Sequence, residues 1–195
     1  MRCYEPRDAP LLKDAVDSSL EHLRPWMPWA LDEPQSLDQK VELLRAFRGQ
    51  FDRDENFVYG IFVRDESEVV GGTGLHPRVG DGGLEIGYWV AAGAIGEGYA
   101  TEVAAALTRV AFEVCSVDRV HIHVAPENVA STRIPRKLGF VEEGTLRRRL
   151  PPRRPGEARR DQVTFTMLRE ELSRSPCADA RVEAFDAAGR PVALA

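Results

Sequence analysis

Apolar positions change their period several times along the chain, and each change marks an element. Val103, Leu107, Val110, Ala111 and Val114 recur at the spacing of one helical face while Thr101, Glu102, Arg109 and Glu113 fall elsewhere, so a helix starting near Tyr99 buries one side. Just before it, Leu84, Ile86, Tyr88 and Val90 alternate with Glu85, Gly87 and Trp89, the period-two pattern of a strand. Phe57 to Arg64 and Glu68 to Gly74 are rich in β-branched and aromatic residues and are separated by Asp65-Glu66-Ser67. They read as a hairpin that leads into the alternating strand through the turn Asp81-Gly82-Gly83.

Nearer the N-terminus, Arg2 to Glu5 is a short extended piece. Asp8 is placed to cap a helix running to about Leu23, with Pro10 tolerated in its first turn. Ser36 followed by Gln39 is a capping box, and Leu37, Val41, Leu44, Ala46 and Phe47 carry a second helix to near Phe51. After the central helix, Arg119 to Ala125 alternates as a strand, Asn128 to Leu138 reads as a short helix closed by Gly139, and strands follow near Phe140 to Leu150 and Asp161 to Leu168. The resulting order, β, αα, βββ, α, β, α, ββ, predicts one α/β domain over residues 1–172. Pro176 then breaks the chain, and residues 173–195 form an appendage, either a small hairpin or a frayed tail.

Composition narrows the setting. A chain of 195 residues with 43% hydrophobic positions is long enough to bury a core without metal or disulfide staples. Cys3, Cys115 and Cys177 are odd in number and scattered without CxxC spacing, which points to a reducing, cytoplasmic setting and not to a disulfide framework or zinc ribbon. No signal-like segment and no apolar run of membrane-spanning length is present, so a soluble protein with no membrane partner is expected. A net charge of -5 argues against direct nucleic acid binding, although Arg147, Arg148, Arg149, Arg153, Arg154, Arg159 and Arg160 crowd one short stretch.

Gly96-Glu97-Gly98-Tyr99-Ala100-Thr101 carries the sharpest chemical signal, because it joins the alternating strand to the amphipathic helix. Two glycines let the backbone pass close to a ligand, and the first amides of the helix point out unpaired, which suits phosphate oxygens. A plain strand-to-helix turn is the alternative. A nicotinamide-binding oxidoreductase would also place Gly-x-Gly here, but its third glycine is missing, and Asp118 precedes the next strand where ribose recognition needs an acid at its end.

Three segments taken together resemble the GNAT superfamily of N-acetyltransferases, and more closely its RimJ/RimL-like ribosomal-protein alanine acetyltransferase branch. They are Glu85-Ile86-Gly87-Tyr88-Trp89-Val90, Gly96 to Glu102, and Asn128-Val129-Ala130-Ser131 ahead of Lys137-Leu138-Gly139-Phe140. Arg24-Pro25-Trp26-Met27-Pro28-Trp29 is similar to that branch's proline-tryptophan loop, Asp161 to Leu168 to its last strand, and the likeness covers about residues 2–172. The resemblance implies a mixed, mostly antiparallel sheet of six to seven strands with splayed central strands and about four helices. It implies acyl transfer from acetyl-CoA to a primary amine, the acceptor being a protein N-terminus or a small molecule, with the pyrophosphate on amides from Gly96, Glu97, Gly98, Tyr99, Ala100 and Thr101. The pantetheine arm would add along Tyr88, Trp89 and Val90 in the manner of an extra strand. Relatives in the branch are often dimers, so a homodimer is a further expectation. Ile95 stands where the family often has Gln or Arg, and Pro135 where many relatives outside the branch carry a tyrosine acid.

Individual residues then acquire candidate roles beside plainer ones. Glu85 shares a strand face with Gly87, whose missing side chain would leave room for water or substrate; it is a candidate to take the amine's proton or to hold the ammonium, against the alternative of a surface ion pair. Ser131 lies one turn after Asn128 and is a candidate donor to the departing sulfur, or else a capping serine. Asn128 resembles the family's pantetheine-binding asparagine and equally suits an N-cap. Trp26, Met27 and Trp29 are candidates for the acceptor pocket wall, or for a core plug. His121 and His123 sit two apart on one strand without a third ligand at sensible spacing, so no metal is expected. The arginine stretch reads as a solvated hairpin loop, with steering of an acidic acceptor or the CoA 3'-phosphate as the other reading. No cysteine lies in a motif suited to carry an acyl group, which favours direct attack in a ternary complex. A non-catalytic acyl-CoA-binding module is the competing class.

Overall fold

A computed structural model describes residues 1–154, 156–186 and 188–194. Seven strands, β1 (Arg2–Cys3), β2 (Phe57–Phe62), β3 (Val69–His76), β4 (Gly83–Val90), β5 (Arg119–Val124), β6 (Val141–Leu150) and β7 (Arg160–Leu168), hydrogen-bond in the order β1-β2-β3-β4-β5-β7-β6. The β1–β2, β5–β7 and β6–β7 pairs are antiparallel and β4–β5 is parallel, giving the mixed sheet that the element order predicts. Five α-helices lie among the described residues: α1 (Ala9–Asp17), α2 (Leu20–Leu23), α3 (Leu37–Asp52), α4 (Tyr99–Glu113) and α5 (Val129–Lys137). The chain falls into two compact units, one of Met1–Gly74, Tyr88–Tyr99 and Pro151–Ala158, the other of Leu75–Gly87, Ala100–Leu150 and Arg159–Ala195.

In the first unit, Tyr4, Leu12, Val16, Leu44 and Val69 form a buried core that Phe47, Phe62 and Trp89 pack against. Ser36 and Gln39 close the expected capping box on α3. The first helix, however, does not run unbroken to Leu23. At its end Ser18 turns its hydroxyl back onto the carbonyls of Asp14 and Ala15, 2.7 and 3.2 Å away, and Ser19 leaves helical geometry before α2 begins. Asp8 does not cap α1 through its side chain either, because its carboxylate is spent on Arg2, at 2.7 Å, and on the amide of Glu5, at 2.8 Å. Glu33 and Lys40 form an ion pair only 2% and 1% exposed, a feature the sequence did not suggest. Glu33 also accepts from the amide of Gln35 at 2.8 Å, while its own carbonyl takes a bond from Arg24 at 2.9 Å, so this pair pins both ends of the tryptophan loop.

In the second unit, β5 alternates cleanly: Val120, Ile122 and Val124 are buried, and Arg119, His121 and His123 occupy the other face. Burying a side chain such as Ile122 contributes about 1.5–3 kcal/mol, which fixes the register and therefore the side to which both histidines point. Helix α4 buries Val103, Leu107, Ala111 and Phe112, and α5 continues through Pro135 to Lys137 before Gly139, at φ +81°, ends it. Residues after 172 begin with packing inside this unit. The Ser175 hydroxyl donates to the carbonyl of Leu138 at 2.6 Å, Cys177 is buried, and Arg109 reaches the carbonyl of Ala180 at 2.9 Å. Two short antiparallel strands, β8 (Ala184–Phe185) and β9 (Pro191–Val192), follow as a hairpin whose Ala187 lies outside the described residues.

Candidate active site

Gly96 and Gly98 both take φ +89°, a conformation that L side chains rarely adopt, and a Cβ on either would have nothing within 4 Å. The backbone is therefore exposed and open to close approach. Tyr99 is the first residue of α4, so the amides of Tyr99, Ala100 and Thr101 are among those that an α-helix leaves without an internal partner. A glycine-lined turn opening onto a helix start leaves main-chain amides facing solvent, the arrangement that receives anions such as phosphates, and Glu97 lies exposed between the two glycines. Ile95 is 53% exposed and brings no polar group to the loop.

Within the same unit, Trp89 lies at the centre of an aromatic group. Its ring meets that of Trp29 edge-on at 5.7 Å, and Trp29 itself is exposed. Gly72 on β3 makes room for this indole, since a Cβ there would sit 2.4 Å from Trp89 Nε1. Neighbouring Gly71 likewise lies under the Trp89 carbonyl, where a Cβ would come within 2.4 Å of the oxygen. The double glycine of β3 is thus explained by the tryptophan of β4. Trp26 is half-buried with the Arg153 guanidinium 4.6 Å above its ring, and Met27 is half-buried beside it in the chain. Of the three residues read as pocket wall or core plug, Trp29 has the exposure of a wall and Trp26 is shielded. Tyr88 and Val90 flank Trp89 on β4, both half-buried.

In the second unit, a polar stripe crosses one face of the sheet. The β4–β5 ladder comprises Gly83–Arg119, Leu84–Val120 and Glu85–His121, which sets Glu85 beside the histidine face of β5. Glu85 is 8% exposed. Its Oε1 accepts from Arg78 Nη2 at 2.6 Å and its Oε2 from Arg78 Nε at 2.8 Å, while His123 Nδ1 lies 3.3 Å from Oε2. Burial alone would raise the pKa of this carboxyl, but the Arg78 and His123 hydrogen bonds outweigh burial and bring it down to about 2. His121 is fixed on both nitrogens: Nδ1 lies 3.1 Å from the Thr166 hydroxyl, and Nε2 accepts from Arg119 at 3.1 Å. Burial first, then the neighbouring His123 and Arg119, lower its pKa.

The room expected over Gly87 is not free. His76 at the end of β3 fills it, its Nε2 only 3.2 Å from where a Gly87 Cβ would be, and burial followed by Arg78 holds this imidazole near pKa 4. Arg78 and His76 were not singled out from sequence, although both lie within ten residues of Glu85. On α5, Asn128 is the N-cap, its Oδ1 accepting from the amide of Ser131 at 3.2 Å, so the capping role read for it is realised and its amide nitrogen is left for other work. Ser131 sits half-buried in the first turn of that helix. In the arginine stretch, Arg159 donates to the carbonyls of Arg148 and Arg149 at 3.0 and 2.8 Å, so part of that charge serves to close the β6–β7 hairpin. Among the described residues no group of three or more His, Cys, Asp or Glu could hold a metal ion, and no helix is long and apolar enough to cross a membrane.

Comparison with known proteins agrees with this geometry. A family model described as an acetyltransferase (GNAT) domain matches residues 1–141. A Bacillus subtilis protein named putative ribosomal N-acetyltransferase YdaF is 33% identical over 150 residues, covering 75% of this chain and 80% of its own. A crystal structure described as a probable acetyltransferase superposes with a TM-score of 0.78 at 31% identity, over 87% of this chain and 92% of the other. Mycobacterium smegmatis RimJ, solved with a CoA disulfide, gives a TM-score of 0.78 at 27% identity over 91% and 85% of the two chains. The chain therefore belongs to the GNAT family and is an acetyl-CoA-dependent N-acetyltransferase.

Proposed function

We propose that this enzyme acetylates the N-terminal α-amine of a protein by direct attack in a ternary complex. The observation that carries the cofactor half is the pair of glycines at φ +89° opening onto α4. The acceptor half rests on the likeness to proteins named as ribosomal acetyltransferases, with 33% identity to the Bacillus subtilis relative. An α-ammonium of pKa about 8 is also easier to neutralise than an alkylammonium of about 10. Acetyl-CoA supplies an activated acetyl group as a thioester. Amides of Gly98 to Thr101 hold the pyrophosphate, main-chain groups along Tyr88, Trp89 and Val90 hold the pantetheine amides, and Asn128 adds its free amide nitrogen. Trp26, Met27 and Trp29 are the proposed acceptor wall, of which Trp29 is the exposed member.

The amine nitrogen forms its bond to the carbonyl carbon as the carbon–sulfur bond breaks, and the sulfur leaves with the electron pair. The Ser131 hydroxyl donates a hydrogen bond to that sulfur. Glu85, with a pKa of about 2, stays ionised and is suited to hold positive charge rather than to take up a proton. Cysteine chemistry is disfavoured: burial pushes the Cys3 and Cys177 thiols up, and Cys115 follows the far end of α4, about 22 Å of helix from the glycine turn.

The test is thiol release from acyl-CoA donors of increasing length with three acceptor sets: free N-terminal peptides, the same peptides α-acetylated but carrying lysine, and small polyamines. Turnover confined to the first set supports the reading; turnover only with small amines replaces the acceptor, and none with any amine sinks it. Glu85→Gln should lower kcat while leaving the Kd for CoA within about twofold.

A further inference from the structure

We infer that His123 is the catalytic residue that takes the proton from the acceptor amine, with Glu85 as its positioning partner. The inference rests on the N-acetyltransferase reading and adds to it the identity of the base.

The geometry separates the two histidines of β5. His121 is engaged on both ring nitrogens, by Thr166 on one side and Arg119 on the other. A lone pair already accepting from a guanidinium is not free to take up a proton. His123 presents only Nδ1 to a partner, the Oε2 of Glu85 at 3.3 Å, and its Nε2 has no hydrogen-bond partner among the described residues. A carboxylate that receives Nδ1–H fixes the tautomer in which the Nε2 lone pair faces outward.

Glu85 is in turn clamped by Arg78, and that clamp decides which group moves the proton. A carboxylate with a pKa of about 2, held by two guanidinium hydrogen bonds, is a poor acceptor for a proton from an ammonium of pKa about 8, which leaves the outward Nε2 lone pair of His123 as the acceptor in the stripe. Thr164 supplies the second observation. It pairs directly with His123 across β5 and β7, so the two side chains share a face. Its hydroxyl is buried and meets no hydrogen-bond partner among the described residues. A buried hydroxyl left in that condition forgoes the hydrogen bonds it makes in water, which an amine or bridging water beside His123 would restore. Gly144, opposite Thr164 on β6, has nothing within 4 Å of a Cβ position, so that side of the stripe is open.

The proton balance is simple. The acceptor arrives as an ammonium; His123 Nε2 takes one proton and passes it to water. The second proton leaves nitrogen as the carbon–nitrogen bond forms and ends on the departing sulfur. The charged or titratable groups around His123 are Glu85 and, behind it, Arg78 on the β4 side, His121 on its own strand with Arg119 beyond, and Glu143 of β6, whose charge acts on His121; the neutral Thr164 pairs with it from β7.

Three measurements on the full chain test this. Imidazole nitrogen shifts of the free protein should show neutral His123 protonated on Nδ1, and Glu85→Gln should weaken that preference. His123→Gln, with His123→Asn as a second variant should the first fold poorly, should lower kcat by about 10²–10⁴-fold with the CoA Kd within about twofold. The residual activity should climb tenfold per pH unit toward the acceptor's own pKa, and added imidazole should restore part of it. Protonation on Nε2 in the wild type, or a kcat within threefold in both variants, overturns the assignment. The nitrogen shifts need no turnover, so they test the arrangement at His123 even where the acceptor screen finds no substrate, and that screen tests the proposed acceptor.

Discussion

Gly96 to Thr101 offers main-chain amides and open space, whereas Glu85, His121, His123 and Thr166 offer side chains bound to partners across three strands, with the buried Thr164 hydroxyl beside them. The first region needs only glycines at the turn of one short run, so the phosphate site proposed for it depends little on the neighbouring side chains. The second needs each strand in register, because a slip of one residue would turn every member of the stripe into the opposite face. A main-chain site tolerates sequence change and fails through strain; a side-chain site tolerates little and fails through charge. The two should therefore respond to different perturbations.

Acid gives the largest predicted separation. His76 carries a pKa near 4 in the folded chain against an ordinary 6.5, so the unfolded chain takes its proton first as pH falls. Stability from this group is complete above about pH 6.5, is lost as pH drops toward 4, and changes no further below that. Glu85 adds a second loss lower down, since its folded pKa of about 2 lies below the usual 4.5: its contribution is present above pH 4.5 and disappears as pH falls through 2. A 2.5-unit depression at His76 corresponds to about 3 kcal/mol. Urea unfolding at pH 7.5 and 4.5 should show a drop of that order in the wild type and a much smaller one in His76→Gln; equal drops would mean that His76 is not buried over Gly87.

Backbone strain gives the next effect, on the other region. Gly98→Ala forces a side chain into φ +89°, costing about 1–3 kcal/mol, although the added methyl would touch nothing. If the loop holds pyrophosphate, the Kd for CoA rises about tenfold or more alongside the loss of stability, and kcat on saturating acetyl-CoA changes less. A loss of stability with CoA affinity intact would reduce the loop to a turn.

The same contrast explains what could be read from the chain beforehand. The glycine turn, the capping box at Ser36, the strand alternation of β4 and β5 and the order of elements are all local patterns, with partners at most a few residues apart. The structure places each within one or two residues of the expected bounds. Elements whose polar side chains find distant partners were misjudged. Asp8 looked like a cap and is held by Arg2, and Ser18 and Ser19 looked helical and end the helix. Gly87 looked like open space and is covered by His76. Glu85 was readable as a candidate because it shares a strand face with Gly87 and lies in a segment that carries the family resemblance, but its clamp by Arg78 comes from the β3–β4 connection, which carries no periodic signal. Thr164 and Thr166 were invisible as site residues because only the β5–β7 pairing, across more than forty residues, puts them beside the histidines.

The smallest predicted effect separates the two kinds of site within one residue. Asn128 caps α5 through Oδ1, which accepts from the Ser131 amide, and is proposed to use its Nδ2 for the pantetheine arm. Asn128→Ala removes both functions and should cost about 1 kcal/mol of stability together with CoA affinity. Asn128→Asp keeps an oxygen for the cap and places a negative charge at a helix start, where the dipole favours it, so stability should hold within about 0.5 kcal/mol. What the aspartate lacks is the N–H donor. A Kd for CoA that rises in Asn128→Asp while the thermal midpoint stays put would assign the amide nitrogen to the ligand and the oxygen to the helix. Unchanged affinity in both variants would leave Asn128 as a cap alone and return the pantetheine contacts entirely to the main chain of β4.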